Sequence, residues 1–195
     1  MPATTQCGWS PAGELNLSRR DWLKSVALAG VPSGLLWAGS DTPKQTSALG
    51  AKSPSLAVPT IDGKTIQVHK QPGKVVLVDF MTTTCPSCKQ ASIGIQVLYQ
   101  ELGEKGFFPV AVAIDPQASS MLPFYRNVHG LTFPVGIVAR EEVLRYLDHP
   151  GDKPMFVPTL VLLDRQGRIS MKEVGWIGEQ KLRSAVTKLL DQKTR

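Results

Sequence analysis

Cys85-Pro86-Ser87-Cys88 stands where a continuously apolar run ends and a helical spacing begins. Upstream, Lys74-Val75-Val76-Leu77-Val78-Asp79-Phe80-Met81 is β-branched and interrupted only by Asp79, the pattern of a central strand covered on both faces. Downstream, Ala91, Ile95, Leu98 and Leu102 recur at helical steps, and Gly103 follows them as a stop. A buried strand that hands a cysteine pair to a helix N-terminus demands an α/β layout, and the rest of the chain keeps alternating. Phe107–Ile114 reads as a second buried strand, and Gln117–His129 as a helix with Met121, Tyr125 and Val128 on its apolar face. Phe133–Val138 reads as a short strand and Arg140–Leu147 as a short helix. Val157–Leu163 is a third strong strand; Asp164-Arg165-Gln166-Gly167 turns it into a partner, Arg168–Val174. Leu182, Val186 and Leu189 stripe a last helix, and Ser55–Val58 and Thr65–Val68 flank Asp62-Gly63 as a small entrance hairpin. Together these elements predict a three-layer α/β fold with a mixed central sheet.

Composition narrows the function classes. The chain has 195 residues, 42% hydrophobic and 19% charged, which excludes a disordered or fibrous protein and suits one domain with an appendage. Its net charge of +6 comes from Lys and Arg spread singly, with no basic stripe and no zinc-finger or RNA-binding motif, so nucleic acid is not an expected partner.

The appendage is the first 40 residues. Arg19-Arg20 precedes a mildly apolar stretch, Val26–Trp37, and so resembles a twin-arginine export signal, with Trp22 in a position usually held by Phe. Gly30, Pro32 and Gly34 break that stretch, which is shorter than the ~20 apolar residues a spanning helix needs. Ala38-Gly39-Ser40 offers small residues for cleavage before Asp41. The organisation expected is therefore a signal at 1–40, a polar linker at 41–54 and one exported domain at 55–195, located in the periplasm or its equivalent. An N-terminal amphipathic helix and a retained anchor are the competing readings of the first segment. Cleavage removes Cys7 and leaves Cys85 and Cys88 alone.

At a helix start, free backbone N–H groups and the positive end of the helix dipole stabilise a thiolate, which lowers the pKa of the first cysteine. The second lies one turn along, close enough to close a disulfide, and the pair can carry out thiolate attack, mixed-disulfide formation and resolution. Three other readings of a lone CxxC stay open. Structural zinc needs four ligands, but His69, His129 and His149 are scattered without ligand spacing. A soft-metal site of two thiols and a histidine would make the chain a copper-binding chaperone. An inert disulfide across so short a loop would gain little entropy. Asp79 admits two readings as well: a strand-mouth carboxylate with access to water, or a buried carboxyl of raised pKa that relays a proton with Cys88.

The run from Val75 to Phe80, then Cys85-Pro86-Ser87-Cys88-Lys89, then Val157-Pro158-Thr159 entering a strand resembles the thioredoxin superfamily. More narrowly it resembles the exported TlpA/ResA-type thiol–disulfide oxidoreductases, which share their layout with the redoxin and peroxiredoxin proteins. The resemblance spans about Ser55 to Leu190 and implies a thioredoxin-like fold. About 40 residues lie between Asp115 and Val157, where one crossover needs a dozen or more; the excess fits the extra strand and helix of TlpA-type members. The resemblance implies catalytic roles for Cys85, Cys88 and Asp79, and a substrate surface at Thr84, Pro86, Val157, Pro158 and Gly175. Pro158 falls where the family carries a cis-proline, which would free the backbone of Val157 to pair with a substrate strand. No cofactor beyond the Cys85–Cys88 disulfide and no metal is implied. The partners implied are protein thiols and disulfides of the cell envelope and a membrane thiol donor, acting on a monomer that works as a reductant in haem-attachment or copper-site assembly. Four departures bear on potential and substrate: Thr84 replaces a tryptophan, Ala91 a glutamate, Ile93 a helix-kinking proline, and Ala111 a lysine near the buried aspartate. Thr82-x-x-Cys85 matches part of a peroxiredoxin motif, but Val78 stands where that motif needs proline, so a peroxidase is the alternative enzyme.

Overall fold

The computed structural model describes residues 49–192. The expected signal at 1–40 and the first part of the linker lie outside the described residues.

The strand Val75–Met81 (β3) is buried along its whole length. It occupies the centre of a five-stranded sheet because both of its faces are apolar, with Asp79 the exception. Phe107–Ala113 (β4) runs parallel beside it and Val135–Ile137 (β5) parallel beside β4; on the other flank Thr159–Leu163 (β6) and Ile169–Val174 (β7) are antiparallel, giving the order β5-β4-β3-β6-β7. Ala57–Pro59 (β1) and Thr65–Gln67 (β2) form the separate entrance hairpin, paired Val58 to Ile66.

Alternation along the strands divides the core into two layers. Leu77 and Met81 of β3 join buried residues of the helices Pro86–Leu102 (α1), Ala118–Val128 (α2) and Glu179–Leu190 (α4). Val76, Val78 and Phe80 face the other way, onto Leu56 and Val58 of the hairpin region and onto Val143 and Tyr146 of Arg140–Tyr146 (α3). The mixed sheet flanked by helices is the expected class, and α2 with β5 supplies the extra helix and strand. Among the described residues, no helix is long and apolar enough to cross a membrane.

Two details differ from the sequence reading. In α2 the buried side chains are Ala118, Leu122 and Tyr125, whereas Met121 and Val128 are exposed. Ala118, Leu122 and Tyr125 have the same four-then-three spacing as the expected triplet and share Tyr125 with it, so periodicity alone could not select the phase. The end of the expected 41–54 tether is already part of the domain. Gly50 N–H donates to Ile169 O and Ser53 N–H to Gly167 O, both at 2.8 Å. These residues cover the start of the β7 edge, while Thr60 bridges to Gly136 on the β5 edge, so both open edges are partly occupied by preceding chain. The β5 contact needs glycine: a Cβ on Gly136 would lie 2.6 Å from the Cγ1 of Val58.

Candidate functional site

The end of β3 carries the loop Thr82–Thr84 to α1. A clasp fixes this loop: Asp115, just past β4, accepts from Thr83 N–H at 2.9 Å and from the Thr83 hydroxyl at 2.7 Å. Cys85 then caps α1 with extended backbone, and Pro86 takes the first helical position, where its missing N–H costs nothing.

Three polar groups gather at the Cys85 sulfur. Cys88 N–H donates to it at 3.1 Å, Ser87 Oγ lies within 3.2 Å, and the Val157 carbonyl oxygen is 3.8 Å away. The first turn of α1 holds no acid that would oppose a negative charge on sulfur. Cys85 is half-buried; Cys88 is fully buried. Their Cα atoms are 5.2 Å apart and the sulfurs are at disulfide-bonding distance. The arrangement presents one sulfur to a partner and withholds the other.

Asp79 is 1% exposed, so the strand-mouth reading does not describe it. It sits between Leu77 and Met81 on β3, and the pleat turns its side chain to the α1 face, where Cys88 is buried. Neither carboxylate oxygen has a hydrogen-bond partner. Burial raises its pKa from 3.8 to about 7, since an unpaired charge is poorly tolerated there. One turn beyond Cys88 on α1, buried Ser92 Oγ pairs with the Tyr125 hydroxyl of α2 at 3.1 Å. The Tyr125 hydroxyl is pushed up to about 12, mainly by burial and to a lesser degree by the charge of Asp79; the Ser92 hydrogen bond opposes the rise. Gln96, one further turn along, accepts from Thr132 N–H at 2.8 Å. Cys88, Ser92 and Gln96 thus form a polar line at i, i+4 and i+8, and its last two members bind the α2–β5 unit.

The other expected surface residues fall as follows. Thr84 and Pro86 are exposed beside Cys85, while Val157 is half-buried and Pro158 buried. The Val157–Pro158 bond is cis. Gly175 N–H donates to Pro158 O at 2.7 Å, holding the end of β7 against this turn. Ala91 and Ala111 are core residues of the α1 layer, and Ile93 is exposed. Among the described residues, no three His, Cys, Asp or Glu side chains come together as a metal-binding group.

Sequence reasoning missed Ser87, Thr83, Asp115 and Ser92 as site residues and took Tyr125 only for a core residue of α2. Asp115 had a usable signal, a carboxylate closing an apolar strand at the end where Cys85 emerges; the Ser92–Tyr125 pair had none, because it joins two helices across an insertion.

The sequence from 48 to 189 matches the Redoxin family model. The chain is 26% identical over 164 residues to thiol-disulfide oxidoreductase ResA of Bacillus anthracis, covering 84% of this chain and 91% of that protein. It is 24% identical over 139 residues to thioredoxin-like protein YneN of Bacillus subtilis, covering 68% and 75%. Among solved structures, a thiol:disulfide interchange protein of the thioredoxin family from Chlorobium tepidum superposes with a TM-score of 0.64 at 24% identity, covering 71% of this chain and 95% of that one. StoA from Bacillus subtilis superposes with a TM-score of 0.57 at 21% identity, covering 68% and 96%. Both structures share the fold.

Proposed function

The chain belongs to the redoxin family and is a thiol–disulfide oxidoreductase, and from that premise we propose that it is an exported reductant of protein disulfides with Cys85 as the attacking thiolate. The observation that carries this is the asymmetry of the pair: Cys85 is half-buried at a helix N-terminus with two donor groups within reach of its sulfur, and Cys88 is wholly buried.

In the reduced protein, the Cys85 thiolate attacks one sulfur of a substrate disulfide, and the other substrate sulfur leaves as a thiolate. Cys88 then loses its proton to the Asp79 carboxylate and attacks Cys85 Sγ. The substrate sulfur held in the mixed disulfide departs as the second thiolate, the Cys85–Cys88 bond forms, and two electrons have passed to the substrate. A buried carboxyl with a pKa of about 7 suits this step, being available in both protonation states near neutral pH. Thr84, Pro86, Val157, Pro158 and Gly175 form the rim that an extended substrate segment would meet.

Two features favour the reducing direction. The dipeptide between the cysteines is Pro-Ser, not the Pro-His of strongly oxidising relatives, and the ResA-type resemblance favours donation of electrons. In an oxidising envelope such a protein needs recharging by a membrane thiol donor. Equilibration with a glutathione buffer tests the direction. A potential near thioredoxin's, about −270 mV, is expected, and one near −120 mV overturns the reductant reading. Insulin reduction by the full chain tests the reaction itself, and faster peroxide consumption than disulfide exchange would favour the peroxidase alternative.

A further inference from the structure

Phe156 is 66% exposed, and Val174 is 55% exposed. Both are large apolar side chains, and they sit on either side of the turn that touches the Cys85 sulfur. Phe156 immediately precedes Val157, whose carbonyl oxygen is 3.8 Å from that sulfur. Val174 pairs with Thr159 across the β6–β7 ladder, and Gly175 beside it binds Pro158 O. Behind them lies a groove of about 250 Å³ whose lining includes Phe156, Val174, Met155, Lys153, Lys172 and His149, and no acid. Lys172 is tied back by donating to Leu147 O at 2.5 Å, and Asp148 lies near it. Lys153 is exposed and forms no ion pair among the described residues. The groove is therefore apolar at its mouth and cationic at its wall, and it begins one residue from the reacting centre.

We propose that this groove is the specificity pocket of the exchange reaction, receiving an apolar side chain close in sequence to the attacked cysteine of an acidic substrate segment. The inference rests on the function proposed above and adds the class of polypeptide. An extended segment crossing Val157 advances about 3.3 Å per residue, so a neighbour of the attacked cysteine comes within reach of Phe156. Its apolar side chain gains by covering Phe156 and Val174, which are otherwise open to water. Carboxylates on the same segment meet Lys153 and Lys172 with no acid in the lining to repel them. A lysine-flanked cysteine meets like charge instead.

The test uses the reduced full chain and cysteine peptides carrying thionitrobenzoate as a mixed disulfide, whose low-pKa thiol leaves and is read by its absorbance. The peptides place Leu or Gly beside the cysteine, flanked by Asp or Lys. Each rate constant is divided by the same protein's rate constant with hydroxyethyl disulfide, which is too small to reach the groove. The Leu/Asp peptide is expected to react about tenfold faster than the Gly/Lys peptide on this scale, and added salt should shrink the Asp-over-Lys part alone. Lys153→Glu should reverse the Asp-over-Lys preference, and Phe156→Ala should abolish the Leu-over-Gly preference; both positions are exposed, so neither change threatens the core. Equal normalised rates for all four peptides, or a preference that survives both substitutions, overturns the pocket while leaving the oxidoreductase reading standing. Failure to react with any disulfide, hydroxyethyl disulfide included, overturns that reading as well.

Discussion

Asp79→Asn should remove a large pH dependence of stability between about pH 4 and pH 7. The folded protein holds the Asp79 proton up to about pH 7, whereas the unfolded chain releases it near 3.8. Each tenfold difference in proton affinity is worth about 1.4 kcal/mol, so the charged folded form is penalised by roughly 4 kcal/mol. The sign follows from which state binds the proton more tightly. Below about pH 4 both states are protonated and the group contributes nothing; from there to pH 7 the unfolded state is favoured progressively, and above pH 7 the loss is complete. Asparagine carries no charge at any of these values. Urea unfolding of the oxidised wild-type and Asp79→Asn proteins at pH 4 and pH 8 should show their stability difference moving by about 4 kcal/mol in favour of the variant. The unpartnered amide sets a constant offset of about 1–3 kcal/mol, which cancels in that comparison. Parallel pH profiles for the two proteins would refute the argument, since they would mean that Asp79 titrates alike folded and unfolded.

Three further outcomes are expected. Gly94→Ala should cost about 1–3 kcal/mol in urea unfolding, because the new Cβ would lie 2.6 Å from Cζ2 of Trp176; Trp176→Leu in the same chain should recover part of the loss. Tyr125→Phe should cost about 1–2 kcal/mol by leaving the buried Ser92 hydroxyl alone, and adding Ser92→Ala should cost less than the separate effects combined, as a double-mutant cycle will show. Asp115→Ala should release the Thr83 loop and slow disulfide exchange roughly tenfold or more through misplacement of Cys85, with Asp115→Asn retaining more activity; unchanged exchange rates would remove the clasp from the account.

What was legible in the sequence was local. The β3 run, the α1 spacing and the β6–β7 hairpin declare themselves within a dozen residues each, and so does the cysteine pair at the helix start. Asp79 was visible only as an anomaly, a carboxyl in an apolar strand; that it is buried without a partner is a property of what α1 lays over it. The phase of α2 was ambiguous because Tyr125 serves either apolar triplet, and the sheet favours the one that also buries Leu122. The Thr83–Asp115 clasp spans 32 positions, and no window short enough to show periodicity contains both. The segment 50–53 reads as a tether because Gly-Ala-Lys-Ser offers no large apolar side chain to bury, but its attachment to β7 uses backbone groups, which sequence composition does not report.

Arg165 donates to Gly73 O at 2.5 Å and to Leu190 O at 2.9 Å, gathering the start of β3 and the end of α4 around the β6–β7 turn. Gly50–Ser53 attaches beside the same turn, at Gly167 and Ile169. Since β3 runs from this end of the sheet toward the cysteines, the chain enters and leaves the domain at the pole opposite Cys85. A polypeptide joined at either end therefore holds the domain by its base. The reactive sulfur is carried on the far side, so whatever is joined at the base leaves the face around Cys85 open to a substrate.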